Sequence, residues 1–82
     1  GNLFIEAVSS IQFRKYNTAE FMARFIKDGA VELYYDNSKK LETTSSGIKL
    51  PQAGEGITLV SPDGNTTRTL TIDNSGNLVV GT

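Results

Sequence analysis

The chain has 82 residues, of which 38% are hydrophobic, and its formal net charge is -1 at pH 7. A domain of ~60 residues buries only about 60% of the surface that its unfolded chain exposes, so we expect a small core and stabilisation by partner chains. The absence of cysteine and histidine excludes disulfide bonds, Cys/His zinc sites and His-based catalytic triads. The near-zero net charge gives no drive for nucleic-acid binding, and no apolar run approaches the ~20 residues that span a bilayer. We therefore expect no nucleic-acid partner, no membrane insertion and no cofactor.

The charges are distributed unevenly along the chain. Residues 1–42 carry twelve charged side chains and residues 43–82 carry five, while Thr, Ser, Gly, Asn and both prolines dominate the second part. This change in amino-acid composition predicts a charged β repeat over residues 1–50 and a Thr/Gly-rich β element over residues 51–82. The chain begins without a methionine, and we expect it to be a segment of a longer protein.

Alternation of apolar and polar residues, interrupted by turn residues every 8 to 11 positions, predicts an all-β meander of short strands. The nine predicted strands are residues 3–8, 11–15, 20–26, 30–35, 39–44, 47–50, 57–61, 66–73 and 77–80. A helix over residues 18–27 is the alternative for the third strand, because Thr18 is a suitable N-cap. Such a helix is too short to be stable without packing, so we favour the strand.

A tight hairpin is predicted at residues 27–29. A three-residue loop places Arg24 opposite Glu32 and keeps apolar residues opposite each other, whereas a two-residue loop would place Phe25 opposite Glu32. We therefore predict the three-residue loop, an Arg24–Glu32 pair, and a positive φ at Gly29.

Glycines also mark the later turns of the chain. We expect structural turns at Gly47, Gly64 and Gly76, in addition to Gly29. Residues 73–77 match only the start of a calcium-binding loop, so we expect an ordinary turn and no metal site.

The strands of the hairpin are apolar on both faces in places. Alternation puts Phe21, Ala23 and Phe25 on one face of their strand, yet Met22 and Ile26 lie on the other. A single sheet would leave one of these faces uncovered, and we expect other chains to cover it.

Catalytic chemistry has little support in the sequence. Glu32 and Glu42 lie on neighbouring predicted strands, where they could face each other as the two carboxyl groups of a glycosidase do. Charged residues that alternate along a strand are more often a solvated face, and Arg24 and Lys40 are available to neutralise these two. We therefore expect no enzymatic activity and no catalytic residue.

Tyrosines are the best candidates for surface contacts. Tyr34 and Tyr35 are adjacent and point to opposite faces of their strand, with Tyr35 on the face of Phe25 and Leu33. We therefore predict that Tyr34 is the exposed ring, available together with Tyr16 for carbohydrate or protein recognition.

Residues 21–47 include the fairly specific stretch VELYYDNSKK at positions 31–40. This run resembles a repeat of tail-fibre and other virion structural proteins of tailed bacteriophages, notably marine ones. The resemblance covers residues 2–48, and residues 56–78 look like a second β element of the kind found in phage fibre shafts and tips.

The resemblance implies an intertwined homotrimeric β-fibre or spike segment, located in the virion outside the cell and serving host attachment. Its partners would be copies of itself, other virion proteins, and a host surface glycan or protein. The resemblance transfers no receptor residues, because the repeat is a scaffold motif. Two alternatives stay open: a non-catalytic part of a polysaccharide-degrading tailspike, and a bacterial adhesin or capsid-decoration module.

Overall fold

The computed structural model describes residues 1–81 and consists of β-strands, turns and irregular segments. Within these residues there is no helix long and apolar enough to cross a membrane. The strands are β1 (Ser10–Arg14), β2 (Phe21–Ile26), β3 (Val31–Tyr35), β4 (Ser38–Thr44), β5 (Gly47–Lys49), β6 (Ile57–Val60), β7 (Thr67–Ile72) and β8 (Leu78–Gly81). The alternative of a helix over residues 18–27 is wrong, because β2 occupies most of that stretch.

The strands form two antiparallel meanders. One sheet has the order β1-β2-β3-β4-β5 and the other has the order β6-β7-β8. The chain divides into two compact units, Gly1–Pro51 and Gln52–Thr82, and each contains one of the sheets. The division lies one residue after the boundary that the composition predicts.

The all-β prediction is confirmed, with one strand missing. The eight strands match eight predicted strands to within one residue at each end. The predicted strand 3–8 is wrong, since residues 1–7 have no regular secondary structure and Val8 lies in a bend. A strand needs a neighbour for its backbone hydrogen bonds, and alternation of side chains alone does not supply one.

The predicted register of the first hairpin is confirmed. Arg24 lies opposite Glu32 across β2 and β3, so the loop contains three residues. The positive φ of this loop belongs to Asp28, at 54°, and not to Gly29 as expected. The backbone N–H of Gly29 instead donates to the carbonyl of Ile26 at 3.0 Å, which closes the turn.

The later glycine turns have the expected backbone. Gly47, Gly64 and Gly76 have φ values of 151°, 80° and 86°. In the last of these turns the Asp73 carboxylate accepts a hydrogen bond from the backbone N–H of Asn77 at 2.9 Å. Such Asx-type bonds, made by the side chain to its own turn, stabilise a tight reversal of the chain.

Two β-bulges change which side chains share a face. Between β1 and β2 the register shifts at Phe13/Arg14, so that Met22 is the extra residue and Phe21 pairs with Arg14. Phe21 therefore lies on the face of Arg24, and the expectation that it shares a face with Ala23 and Phe25 is wrong.

The second bulge lies between β3 and β4. Here the register shifts at Leu33/Tyr34, so that Lys40 is the extra residue and Lys39 pairs with Tyr34. Since Tyr34 and Glu32 are two positions apart on β3, Lys39 shares a face with Glu32.

Neither unit contains a hydrophobic core within the described residues. No apolar residue among them is buried, and the one buried residue is Glu32, with 6% of its surface exposed. Each unit is a single sheet, so at least one face of each lacks a second layer. This confirms that the chain by itself leaves large apolar side chains uncovered.

The second sheet also has two unlike faces. One face carries apolar side chains from all three strands, among them Ile57, Leu70 and Val80, which lie in one row. The other face is rich in threonine, and the hydroxyls of Thr58 and Thr69 lie 3.1 Å apart in a hydrogen bond. The division is less complete than in the first sheet, because Arg68 lies opposite Leu59 on the apolar face, and Val60 and Val79 lie on the threonine-rich face.

Candidate functional site

A row of polar side chains crosses the first sheet from edge to edge. Successive register pairs align one residue from each strand, and all of them lie on the same face. The row consists of Gln12, Arg24, Glu32, Glu42 and Lys49. We call this side of the sheet the ion-pair face.

Glu32 is the centre of the ion-pair face. Its Oε2 atom lies 2.9 Å from the ammonium of Lys39, and its Oε1 atom lies 3.5 Å from the guanidinium of Arg24. The hydroxyl of Tyr34 donates to Oε1 at 2.8 Å. The buried carboxylate therefore has two hydrogen-bond donors, Lys39 and Tyr34, and a second cation, Arg24, nearby, which is what makes burial of a charge tolerable.

Lys39 links the two carboxylates of the row. Its ammonium donates to Oε2 of Glu42 at 3.1 Å, in addition to its bond with Glu32. Sequence reasoning assigned the neutralising role to Arg24 and Lys40 and missed Lys39. The alternation of polar and apolar residues in the sequence does not predict this contact, because the contact depends on the bulge at Lys40.

The network shifts the pKa values of its members in opposite directions. Burial raises the pKa of Glu32, but the hydrogen bonds from Lys39 and Tyr34 and the charges of Lys39 and Arg24 outweigh it, so that the pKa is lowered from its ordinary 4.5. The hydrogen bonds of Lys39 with Glu32 and Glu42 raise the pKa of its ammonium above 10.5. Both groups are therefore charged at neutral pH.

Aromatic rings extend the network at one end. The guanidinium carbon of Arg24 lies 4.7 Å from the ring centre of Phe21, within the range of a cation–π contact. The ring of Phe21 lies 5.7 Å from that of Tyr34. The Nε atom of Arg24 is buried without a hydrogen-bond partner. The bulge at Met22, which brings Phe21 to this face, is again the feature that sequence reasoning missed.

The predicted exposure of the two adjacent tyrosines is reversed. Tyr34 is half-buried and bonded to Glu32, whereas Tyr35 is 76% exposed. The expectation that Tyr34 is the exposed ring is therefore wrong. Its hydroxyl donates to Glu32, which lies on the same face of β3 and holds the ring against the sheet. Tyr16 is 92% exposed in the loop between β1 and β2, where it borders a shallow depression with Arg14 and Asn17.

The arrangement of the carboxylates suits a fixed ion pair better than acid catalysis. Glu32 and Glu42 face each other as predicted, but the ammonium of Lys39 lies between them. The general acid of a glycosidase needs a raised pKa, and that of Glu32 is lowered. In residues 1–81 no group of three or more acidic residues is placed to hold a metal ion.

The opposite side of the same sheet, which we call the apolar face, holds no charged residue at any paired position. Its large side chains are Ile11, Phe13, Phe25, Val31, Leu33, Tyr35, Leu41 and Ile48, and the smaller Ala23, Ser38 and Thr43 complete the face. The rings of Phe13 and Phe25 meet edge to face with centres 6.0 Å apart. The exposed fractions are 45% for Phe13, 41% for Phe25 and 44% for Leu33, so the centre of the face is open.

Comparison with known proteins returned nothing. No family model matches the chain, and no curated protein or solved structure matches it. The resemblance of residues 31–40 to a phage fibre repeat thus gains no support from these comparisons and stays a prediction.

Proposed function

We propose that the chain is a non-enzymatic structural module that assembles with two further copies of itself in a tail fibre or spike of a tailed bacteriophage, where it serves host attachment. The observation that carries this proposal is that no apolar residue among residues 1–81 is buried. A chain with this many apolar side chains and no core needs a partner to remove them from water.

The surface area supports assembly. The solvent-accessible surface is 6841 Å². The scaling of surface with mass gives about 4,800 Å² for one folded monomer of 8.9 kDa and, for two separate units of these lengths, about 5,700 Å² in total. The excess over the larger value is about 1,100 Å² for the whole chain, including the exposed residues 1–9, and it is of the order of the ~800 Å² that one partner of a stable interface buries.

The division of the faces supports a homomeric assembly. Each sheet has one face whose polar groups bond to one another and one face that is mainly apolar and open, although Thr43 lies on the open face of the first sheet and Arg68 on that of the second. In a closed assembly of identical chains the same face of every chain is buried and the polar face stays in water.

The place in a phage fibre is supported by the stretch VELYYDNSKK at residues 31–40 and by the repeated short strands. The further partners would be other virion proteins and a surface glycan or protein of the host. Tyr16, an exposed ring in a loop, is the residue best placed for such a contact.

The oligomeric mass tests the proposal. Sedimentation equilibrium of the full chain should give three times the 8.9 kDa of one chain at micromolar concentration. A monomeric mass would overturn it. Antibodies raised against the chain should label the tail fibres of the particles that contain it, and label on a bacterial cell surface would indicate the adhesin alternative instead.

A further inference from the structure

We propose that the loop between β1 and β2, together with the adjoining edge of the ion-pair face, binds an acidic saccharide. The ring of Tyr16 packs against a sugar ring, and the guanidinium of Arg14 binds a carboxylate of the same saccharide. This inference rests on the proposed role in host attachment and adds the chemical class of the ligand and the residues that hold it.

The ion-pair face carries an excess of positive charge. Its paired positions hold four cations and two carboxylates, although the net charge of the whole chain is -1. The four cations are Arg14, Arg24, Lys39 and Lys49.

The cations at the β1 edge of this face have no partner in the chain. Arg24 and Lys39 pair with Glu32, whereas neither Arg14 nor the next residue, Lys15, forms an ion pair within residues 1–81. Both side chains are exposed. This edge of the sheet therefore attracts an anion from solution.

The depression beside these cations has a polar border. Its volume is about 630 Å³, within the range of small-molecule sites, and residues 12 and 14–19 surround it. Glu20 closes the loop but does not border the depression. The ring of Tyr16, 92% exposed, is the one aromatic group among the bordering residues. A single ring among polar groups suits a sugar, which has an apolar C–H face and a rim of hydroxyls.

The loop is held in shape by its own hydrogen bonds. The backbone N–H of Lys15 donates to the carbonyl of Glu20 at 2.9 Å, and that of Thr18 donates to the carbonyl of Lys15 at 3.2 Å. The N–H of Glu20 donates to the hydroxyl of Thr18 at 3.1 Å, and Asn17 has a φ of 58°. A loop that is already ordered loses little conformational freedom when a ligand binds.

The combination of groups selects the ligand class. The planar guanidinium of Arg14 matches both oxygens of a carboxylate, and a uronic acid carries its carboxylate on the sugar ring itself. An acidic peptide would meet the charge of Arg14 but leave the face of Tyr16 without a ring to cover. A neutral sugar would cover Tyr16 but leave the cations unpaired.

Three small probes separate these possibilities in titrations of the full chain, followed by NMR of its backbone amides. Tetragalacturonate carries both sugar rings and carboxylates, maltotetraose carries rings alone, and tetraglutamate carries carboxylates alone. We expect tetragalacturonate to shift the amides of residues 14–18 and to bind about tenfold more tightly than either of the other two.

Substitutions locate the site. Tyr16→Ala and Arg14→Gln should each weaken tetragalacturonate binding about tenfold. The matched controls Tyr35→Ala, a ring that is 76% exposed on the other face, and Arg68→Gln, an exposed arginine of the second unit, should leave the affinity unchanged. Should Arg14→Gln lose its β-sheet circular dichroism, the comparison of Tyr16→Ala with Tyr35→Ala decides alone.

Each other outcome overturns a named part of the proposal. Equal affinity for tetraglutamate would show that charge alone is recognised, and equal affinity for maltotetraose would refute the role of Arg14. Absence of any shift with tetragalacturonate overturns the site, and a trimer in sedimentation would then leave the proposed assembly standing. A monomer that binds tetragalacturonate through Tyr16 would support the site and contradict the assembly.

Discussion

The ammonium of Lys39 lies 2.9 Å from the carboxylate of Glu32, the most buried residue among those described. The two residues come from neighbouring strands and would not share a face if β3 and β4 paired without interruption. The extra residue Lys40 shifts the register by one and turns Lys39 toward Glu32. A single bulge therefore decides which lysine neutralises the buried charge.

The replacement Glu32→Gln should destabilise the first unit by about 2 kcal/mol, because it removes the charged acceptor of Lys39 and Arg24 and leaves their charges less well paired. Urea unfolding followed by circular dichroism measures this. Chain concentration must be held constant, since assembly contributes to apparent stability. The control Glu6→Gln makes the same chemical change at an exposed position and should alter stability by less than about 0.5 kcal/mol. Equal effects of the two changes would contradict a structural role for the network.

Stability should fall at both extremes of pH. Because the pKa of Glu32 is lowered in the folded chain, its contribution is present above its ordinary value of 4.5 and is lost as the pH falls through the folded value. The pKa of Lys39 is raised, so its contribution is complete below 10.5 and is lost as the pH rises through the folded value. Denaturant midpoints measured from pH 2 to 12 should show both losses. The decrease in the denaturant midpoint at low pH should be smaller in Glu32→Gln than in the original chain. An equal decrease in both would contradict the contribution of Glu32 to stability.

The second unit should contribute to the acid loss as well. The backbone N–H of Asn65 lowers the pKa of Asp63, and the backbone N–H of Asn77 lowers that of Asp73. Both carboxylates therefore stabilise their turns above their ordinary pKa of 3.8 and cease to do so as the pH falls through the lowered values. The Glu32→Gln variant should therefore still lose some stability at low pH. If this remaining loss disappears when Asp63 and Asp73 are also replaced by asparagine, the contributions of the two units are separated.

Two neighbouring tyrosines offer a matched comparison. Tyr34→Phe removes the hydroxyl that donates to Glu32 at 2.8 Å and should cost about 1 kcal/mol. Tyr35→Phe changes an exposed ring on the adjacent position and should have an effect within about 0.5 kcal/mol. Chemical denaturation of both variants at one pH checks this. A larger loss for Tyr35→Phe would mean that the exposures of the two rings are the reverse of those described.

The close approach at Gly56 predicts a large effect of one methyl group. A Cβ at this position would collide with the carbonyl oxygen of Leu70, which belongs to the backbone of β7. Gly56→Ala should therefore disrupt the β6–β7 pairing and cost more than about 2 kcal/mol, measured as a loss of amide hydrogen-exchange protection in Thr67–Ile72. At Gly81 the nearest atom would lie 3.9 Å from the new Cβ, so Gly81→Ala should leave protection nearly unchanged. Equal protection in the two variants would contradict the described packing.

The strand pattern of this protein is readable from the sequence because it depends on neighbours along the chain. Alternation and turn residues located eight strands, and the demand that apolar residues face each other selected the Arg24–Glu32 register. The same local pattern failed at residues 3–8, where the side chains alternate suitably but no strand lies alongside to bond with the backbone.

The sequence by itself determined the all-β character of the chain, its hairpin register and the shortage of core, since all three follow from composition and period-two alternation. Only the tertiary structure decided which side chains meet. Each bulge inserts one residue, and because the side-chain period is two, one residue is enough to move Phe21 and Lys39 to the opposite face. Residue pattern does not reveal such a shift, because its cause is the fit between two strands that are distant in sequence.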